Sequence, residues 1–449
     1  MPVIKIRRGL DLPIHGAADG ATVVERLDIE HVGLVPGESV GMKCRPLVEV
    51  GAKVEIGSPL YVDRRDPDVV HTSPASGTVT AIHRGERRVV QSIVIRRDGK
   101  NSAVAFDVPR LEKADGAAVR QALLGSGLWG ALRQRPFDVV PRHDAVPGAI
   151  VVTAIDTRPL APTPRSVLAG REAAFRAGLE ALRRLTSGTT YLCVRAGEDW
   201  SALGASGVEV AAFDGPHPAG TPGLHIHKLH PVGAKRTAWH VGYQDVADIG
   251  QFFTTGRVPS ERVVAIVGPA ATAPRLVRTR RGASMAELLA NESSARDLRA
   301  ISGSVFEGRE TAPGTPFGFL GRFANQVTLL ENETSRRLIS WALPLDGRYT
   351  HTNTLWDKFV RRRLVFDTDT NGSLRAFVPI GQYESVMPFD VLPTQLVKAL
   401  ATGDVVLAEK LGVLEFAEED IALCEYVDNS KQPLTGMLRE MLDRIEKEG

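Results

Sequence analysis

Residues 47 to 79 read LVEVGAKVEIGSPLYVDRRDPDVVHTSPASGTV, and this stretch predicts the fold of the first part of the chain. Its apolar residues recur at even spacing around two glycines. They are Val48, Val50, Val54 and Ile56, and the glycines are Gly51 and Gly57. Even spacing is typical of β-strands, and glycine permits tight turns between strands. Three prolines restrict the connections, so the stretch predicts a compact unit of short strands.

The hairpin predicted at residues 63 to 68 of this unit lacks a lysine. In barrel-sandwich modules that carry lipoyl or biotin, a lysine on this hairpin bears the prosthetic arm. Here Arg64 and Arg65 occupy the hairpin, and a guanidinium stays protonated and is a poor nucleophile. We therefore predict a biotinyl-lipoyl-like barrel-sandwich with a structural role, and we disfavour a cryptic attachment site.

The composition is that of an ordinary globular protein. The 449 residues are 43% hydrophobic and 24% charged, and a chain of this length holds about three domains. A net charge of +2 and an aromatic content of 6% give no signal for nucleic-acid binding. The start has no signal-peptide pattern and no apolar run reaches about eighteen residues, so we expect an intracellular protein with at most a peripheral membrane role.

Three cysteines, Cys44, Cys193 and Cys424, are widely spaced and form no CxxC pair. Neither a disulfide framework nor an iron–sulfur motif is therefore predicted.

The patterns after the first unit predict an α+β multidomain protein. A strand, a helix and a strand at residues 149–155, 171–185 and 190–195 indicate a parallel α/β layer. Two strands and a short helix between residues 262 and 289 indicate a β-grasp unit, and apolar stripes after Leu392 indicate helices. The expected regions are a barrel-sandwich at 1–112, a Rossmann-like α/β domain at 113–258, a β-grasp domain at 259–335 and a C-terminal region, largely helical at its end, at 336–449.

Two motifs have a functional and a structural interpretation. GSGLWG at residues 125–130 matches GxGxxG by letter, but it follows a predicted helix, so we favour a helix-ending turn over a nucleotide loop. His225, His227 and His230 form the metal-like cluster, with His217 and His240 nearby, in a segment expected to be a polar strand. Alternate histidines on a strand share a face, yet no carboxylate or thiolate stands at zinc-site spacing, so we predict hydrogen-bonding histidines and no metal.

An apolar slot with a cationic end is the candidate binding site. Such a slot suits a hydrophobic ligand with carbonyl oxygens. The residues assigned to it are Val40, Gly41, Met42, Trp129, Arg133, Arg135 and Phe137. The alternative, that these are core residues at a domain junction, stays open at this point.

Several long segments of the sequence, in the same order along the chain, match one known family. They include KIRRGLDLPI at 5–14, SGLWGALR at 126–133, FDGPHPAG at 213–220, PRLVRT at 274–279 and PIGQYE at 379–384. On these segments the chain resembles the A subunits of sodium-translocating NADH:quinone oxidoreductases. The resemblance implies a peripheral subunit on the cytoplasmic face of the bacterial inner membrane. By this resemblance the subunit is expected to belong to a complex that passes electrons from NADH to ubiquinone and exports Na⁺.

The resemblance also implies partners and cofactors. The flavins and iron centres of such a complex belong to other subunits, so this chain is expected to have no redox cofactor and no catalytic residue of its own. When isolated it should be inactive. Ubiquinone is the implied ligand, and the implied partners are the other subunits, chiefly a membrane subunit, with no nucleic acid.

The layout further resembles the flavin-binding subunits of related complexes. By this comparison residues 113–258 are a degenerate FMN-binding domain and residues 259–335 are SLBB-like. Where those subunits have a glycine-rich phosphate loop, this chain has Leu128, Trp129 and Ala131, whose side chains would crowd a phosphate against backbone amides.

One segment departs from the pattern of this family. Near the C-terminus the family has Cys-Pro-Gly followed by an aromatic segment, whereas residues 427–433 here read VDNSKQP, which puts a thiol role or a local partner contact in doubt. Two alternatives to a quinone-binding subunit remain: a non-catalytic assembly scaffold of the same complex and a stand-alone flavin-binding oxidoreductase.

Overall fold

The computed structural model describes residues 3–18, 22–332, 349, 363–370 and 372–448. Its strands, numbered β1 to β19 in chain order, are Val3–Lys5, Val23–Glu25, His31–Leu34, Cys44–Pro46, Lys53–Val54, Pro59–Asp63, Asp66–Thr72, Gly77–Arg84, Val90–Arg97, Arg133–Arg135, Ala149–Ala154, Thr189–Arg195, Val208–Asp214, Ala238–Gly242, Glu261–Val267, Arg275–Arg280, Leu298–Ser302, Arg309–Glu310 and Gln326–Glu331. Its helices, numbered α1 to α11, are Gly116–Ser126, Pro164–Leu168, Glu172–Arg183, Pro222–Leu229, Tyr243–Thr255, Met285–Leu288, Gln382–Val386, Pro393–Thr402, Val405–Lys410, Glu418–Val427 and Leu434–Glu448.

The N-terminal barrel-sandwich consists of a sheet in the order β3-β9-β8-β5 and a sheet in the order β4-β6-β7. The hairpin between β6 and β7 turns at Arg64 and Arg65, as predicted, and the Asp63 carboxylate accepts a hydrogen bond of 2.9 Å from the Arg65 amide. The strands predicted from the even spacing of residues 48 to 56 form only in part. Lys53 and Val54 form a strand, whereas Val50 lies in a turn and is 62% exposed.

The α/β domain contains a six-stranded sheet in the order β1-β13-β12-β11-β14-β10, in which only the last pair is antiparallel. The strand order reverses beside β11, because β12 lies on one side and β14 on the other. Helices α3 and α5 pack closely against each other on one face of the sheet, and a glycine permits this close approach. A Cβ on Gly250 would lie 1.7 Å from the Ala174 carbonyl oxygen, so no larger residue fits there.

The β-grasp unit contains a sheet in the order β18-β17-β19-β15-β16-β2, with α6 against it. Its edge strand β2 comes from the N-terminal segment and pairs in parallel with β16, while β1 joins the α/β sheet. Strands β1 and β2 therefore tie both later domains to the barrel-sandwich. The boundary predicted between residues 335 and 336 lies outside the described residues.

The C-terminal helices α7 to α11 cover the second face of the α/β sheet. Leu438, Met441, Leu442 and Ile445 of α11 are buried, which confirms the predicted apolar stripe. Helix α1 ends at Ser126, followed by Gly127 in the left-handed region with φ +77°, so the helix-ending turn is also confirmed. Among the helices that the structure describes, none is both long and apolar enough to cross a bilayer.

Candidate ligand cavity

A cavity of about 670 Å³ lies where the four regions of the chain meet. Thr153 of β11 and Tyr243 at the start of α5 form its floor, at the carboxyl ends of β11 and β14. These two strands flank the point at which the strand order reverses. Open α/β sheets bind ligands in the crevice at this point, so the cavity occupies the position where the fold favours a ligand.

Two buried hydroxyl groups of this floor are unpaired. The Thr153 Oγ1 and the Tyr243 hydroxyl have no hydrogen-bond partner among the described residues. Burial raises the pKa of Tyr243, so its phenol stays protonated and can donate. Because buried polar groups are nearly always hydrogen-bonded in native proteins, these two donors mark a place for acceptor atoms of a ligand or of water.

The walls combine apolar and cationic side chains. Val35, Val40 and Phe306 line the cavity, together with Phe323. The Arg133 guanidinium lies 4.6 Å from the centre of the Phe323 ring, within the range of a cation–π interaction. A flat, apolar ligand with polar edges matches these walls.

A buried ion-pair network borders the cavity on the side of the C-terminal helices. Arg135 is fully buried, and its guanidinium lies 3.1 Å from Asp138 and 2.8 Å from Asp420. Glu419 accepts from the same guanidinium at 3.2 Å. These contacts join the end of β10 to α10, so Arg135 fastens the α/β domain to the C-terminal helices.

The carboxylate-rich cluster, as we call this network, contains more acids than arginines. Its members are Arg133, Arg135, Arg158, Asp138, Asp156, Glu307, Glu419 and Asp420. Burial, and then the neighbouring Glu419, raises the pKa of Asp420 to about 6 against the opposing effect of Arg135. Burial also raises the pKa of Glu307.

His240 is a neutral neighbour of this cluster. Its Nε2 lies 2.7 Å from the Asp138 carboxylate, and burial, with help from Arg133, lowers its pKa to about 4. The imidazole is therefore uncharged at neutral pH and adds no positive charge to the cluster.

The structure separates the residues assigned to the predicted slot. Val40 and Arg133 line the cavity, whereas Gly41 and Met42 follow Val40 outside the lining. Trp129 is fully buried in the α/β core, where its Nε1 donates to the Pro141 carbonyl at 2.8 Å. Two further slot residues hold the structure together: Arg135 in the carboxylate-rich cluster and Phe137 against the core of the C-terminal helices. Quinone binding at these positions stays a prediction.

The expected strand around the histidines was wrong, because residues 222–229 form helix α4. His225 and His227 are two positions apart on a helix and so point in different directions. The His225 Nε2 lies 2.9 Å from the Ala219 carbonyl, and the His227 Nδ1 lies 2.7 Å from Glu415. His230 contacts Arg236 at 3.1 Å. Each of these three rings thus has a partner of its own, and the three do not converge on one point among the described residues.

One group of potential metal ligands does converge, at Asp66, Asp68 and His143. Both oxygens of Asp66 already accept from His143, one from its backbone amide at 2.7 Å and one from its ring at 2.8 Å. Asp68 is exposed. The ion pair accounts for this arrangement, and we assign no metal to it.

Three family descriptions match the chain in the order of its domains. They are the NqrA N-terminal barrel-sandwich hybrid domain at residues 4–98, the NqrA second alpha/beta domain at residues 114–258 and the NQRA C-terminal domain at residues 263–312. The predicted fold class is thereby confirmed.

Curated relatives align with the chain from end to end. Proteins named as the A subunit of a Na(+)-translocating NADH-quinone reductase are 47% identical in Shewanella amazonensis, 46% in Saccharophagus degradans and 45% in Pseudomonas aeruginosa, with 100% of both chains covered in each case. Among solved structures, an NAD⁺-reducing nickel–iron hydrogenase in the H2-reduced state is 12% identical, with a TM-score of 0.37 over 50% of this chain and 48% of the other. That likeness is too distant to support any statement about this chain.

Proposed function

The chain belongs to the family of Na⁺-translocating NADH-quinone reductase A subunits, and on this basis we propose that it binds a quinone headgroup in the interdomain cavity. As a member of this family it is part of an oxidoreductase complex. The proposal assigns redox cofactors to partner subunits and to this chain the binding and orientation of the quinone. The observation that supports it is the pair of unpaired buried hydroxyls, Thr153 and Tyr243, on the cavity floor.

The chemistry of a quinone complements this cavity. A quinone ring is flat and apolar, and its two carbonyl oxygens only accept hydrogen bonds. The hydroxyls of Thr153 and Tyr243 supply neutral donors, and the Arg133 guanidinium supplies a charged one. Val40 and Phe323 offer the apolar contacts on which the ring can stack.

Calorimetry or saturation-transfer NMR with a short-chain ubiquinone tests the proposal on the purified full chain. Tyr243→Phe and Thr153→Val each remove one donor, worth about 0.5–1.5 kcal/mol, and should weaken binding roughly two- to tenfold. Tyr191→Phe is the matched control, because Tyr191 lies on the neighbouring strand β12 and outside the cavity. Absence of binding in the unsubstituted chain, or equal losses in all three variants, would contradict the proposal.

The same preparation distinguishes the two alternatives. A stand-alone flavin-binding oxidoreductase would be yellow and would show flavin absorbance. A pure assembly scaffold would join its complex normally and show no quinone affinity.

Docking to a membrane subunit on the cytoplasmic side is a second proposed function. The segment before α7 contains apolar side chains that are strongly exposed. They are Val365, Leu374, Val378 and Ile380, between 55% and 71% exposed. Apolar surface of this kind is typical of protein interfaces, and the family makes other subunits of the reductase the partners that would cover it.

Co-purification with the other subunits tests the docking proposal. Val378→Asp combined with Ile380→Asp should release this chain from the complex, because two buried carboxylates would oppose the interface. Val50→Asp, at an equally exposed position of the barrel-sandwich, should leave assembly intact. Retention of the double variant at the normal ratio would refute docking through this segment.

A further inference from the structure

A second, smaller cavity of about 80 Å³ lies between the barrel-sandwich, the turn after α1 and the β-grasp unit. Its polar lining comes from residues far apart in the chain, among them Tyr61, His71, Arg281 and Arg322. By the measure that one water needs roughly 10–15 Å³, the cavity has room for a group of about five atoms.

His71 is a deeply buried polar group of this cavity, at 8% exposure. Its ring stacks on Tyr61 with the centroids 4.5 Å apart, and its Nε2 has no hydrogen-bond partner among the described residues. Burial, and then the nearby Arg322, lowers the pKa of His71 to about 4. The ring is therefore neutral near pH 7 and offers one N–H donor.

Two arginines that line the cavity also have unpaired buried nitrogens. The Arg281 Nε and the Arg322 Nη2 lack hydrogen-bond partners within the described part of the chain. Guanidinium nitrogens can only donate, so both need an acceptor. Together with the His71 Nε2, three polar nitrogens without partners thus belong to residues that line one small cavity.

The charges behind this lining are unbalanced. Asp245 contacts three arginines, at 3.4 Å to Arg262, 3.2 Å to Arg281 and 2.6 Å to Arg322. Asp248 is shared between Arg281 and Arg171. This cation-rich cluster, as we call these six residues, thus has four arginines and two aspartates. Glu38 also lines the cavity. Its carboxylate is paired with Arg309 at 2.9 Å and accepts from the Arg322 backbone amide at 2.8 Å, and the Glu38–Arg309 pair adds no net charge.

The excess cannot be relieved by loss of a proton, because arginine stays charged at any physiological pH. Burial, and repulsion by Arg281 and Arg262, lowers the pKa of Arg322 despite the contact with Asp245, which agrees with a surplus of positive charge. A negatively charged ligand would neutralise the surplus and accept from the unpaired donors.

We propose that this small cavity is a binding site for an oxyanion of phosphate size, held by Arg281, Arg322 and His71. The anion is either free phosphate or the phosphate group of a larger molecule. The two cavities share the wall formed by Arg262 and Arg322, so a larger molecule can reach the anion site from the large cavity. The inference does not rest on quinone binding.

Titration calorimetry of the full chain with sodium phosphate, at constant ionic strength and without quinone, tests the site. We expect saturable binding that weakens roughly tenfold or more in Arg281→Gln and in Arg322→Gln, since each loses a charge-assisted hydrogen bond. Arg278→Gln is the matched control. It makes the same charge change on β16 at a half-exposed side chain outside the cavity, and it should stay within about twofold of the unsubstituted chain.

Adenosine monophosphate forms the second arm of the experiment. If adenosine monophosphate binds more tightly than phosphate, and both arginine variants lose the same affinity for it, the ligand of this site is the phosphate group of a larger molecule. If adenosine monophosphate binds more weakly than phosphate, the ligand is a free anion. No saturable binding of either compound, or equal losses in all three arginine variants, overturns the proposal.

A measurement on the unsubstituted chain covers the case in which an arginine variant fails to fold. The NMR signal of the His71 ring, assigned with His71→Gln, should move on addition of phosphate, while that of the exposed His83, which lies outside the cavity lining, should not. A His71 signal that stays in place at saturating phosphate also overturns the proposal.

Discussion

Two buried arginine clusters in this protein have opposite charge balances. The carboxylate-rich cluster around Arg135 sets three arginines against five carboxyl groups. The cation-rich cluster around Asp245 sets four arginines against two aspartates. The first can reduce its excess as the pH falls, because a carboxyl group can take up a proton, and the pKa of Asp420 is raised to about 6. The second cannot, since its arginines keep their charge, and the proposed anion would supply the missing negative charge.

The strongest effect is expected at the centre of the carboxylate-rich cluster. Arg135→Met leaves Asp138, Glu419 and Asp420 buried without their shared cation, and should lower the free energy of unfolding by about 3–5 kcal/mol. Urea denaturation at neutral pH measures this loss. Arg142→Met removes an exposed ion pair and should cost less than about 1 kcal/mol. Similar values for the two variants would show that the Arg135 network does not hold the domains together.

A smaller effect is expected on the pH dependence of stability, because Asp420 of this cluster binds a proton in the folded state at mildly acidic pH. The pKa of Asp420 is about 6 in the folded chain and 3.8 in its ordinary state, so between about pH 4 and pH 6 the folded state binds more protons. Stability from this group is complete at low pH and is lost as the pH rises through that window. Relative to the unsubstituted chain, Asp420→Asn should therefore gain about 2 kcal/mol from pH 4 to pH 6. Parallel stability curves for the two chains would contradict the assignment.

The weakest effect is expected in the cation-rich cluster. Asp245→Asn removes one of its two carboxylates and keeps the size of the side chain. At an effective dielectric constant between protein and water, the lost repulsion of an anion is worth about 1 kcal/mol, or roughly a fivefold gain in phosphate affinity. Calorimetry measures the gain, with the exposed Asp144→Asn as control. Unchanged or weaker phosphate binding in the folded Asp245→Asn variant would show that charge does not govern this site.

Local sequence patterns predicted much of the fold. The apolar run from Val263 to Val267 predicted a strand that the structure contains, and the stripe from Leu438 to Ile445 predicted a helix face that is buried. Gly127 ends α1, as the predicted turn required. Such features depend on residues that are close together in the chain. The edge pairings of β1 and β2 depend on partner strands more than 200 residues away, so no local pattern could predict them.

The lining of the large cavity could be predicted only in part, because its residues come together from distant parts of the chain. Val40 and Arg133 were assigned to the site on chemistry alone and do line the cavity, but Trp129 has the same apolar character and lies in the core. Thr153 and Tyr243 were missed. One signal for them existed, because both stand at the carboxyl ends of parallel strands beside the reversal in strand order. That order, and the meeting of His71 with Arg281 and Arg322, emerged only from the tertiary structure.

Photolabelling of the assembled complex with an azido-quinone, followed by mass-spectrometric mapping, is the sharpest test of quinone binding in the large cavity. We predict label on this chain in the segments around Thr153 and Tyr243, with protection by unmodified ubiquinone. Label confined to distant segments of the chain, or to other subunits, would contradict quinone binding in this cavity.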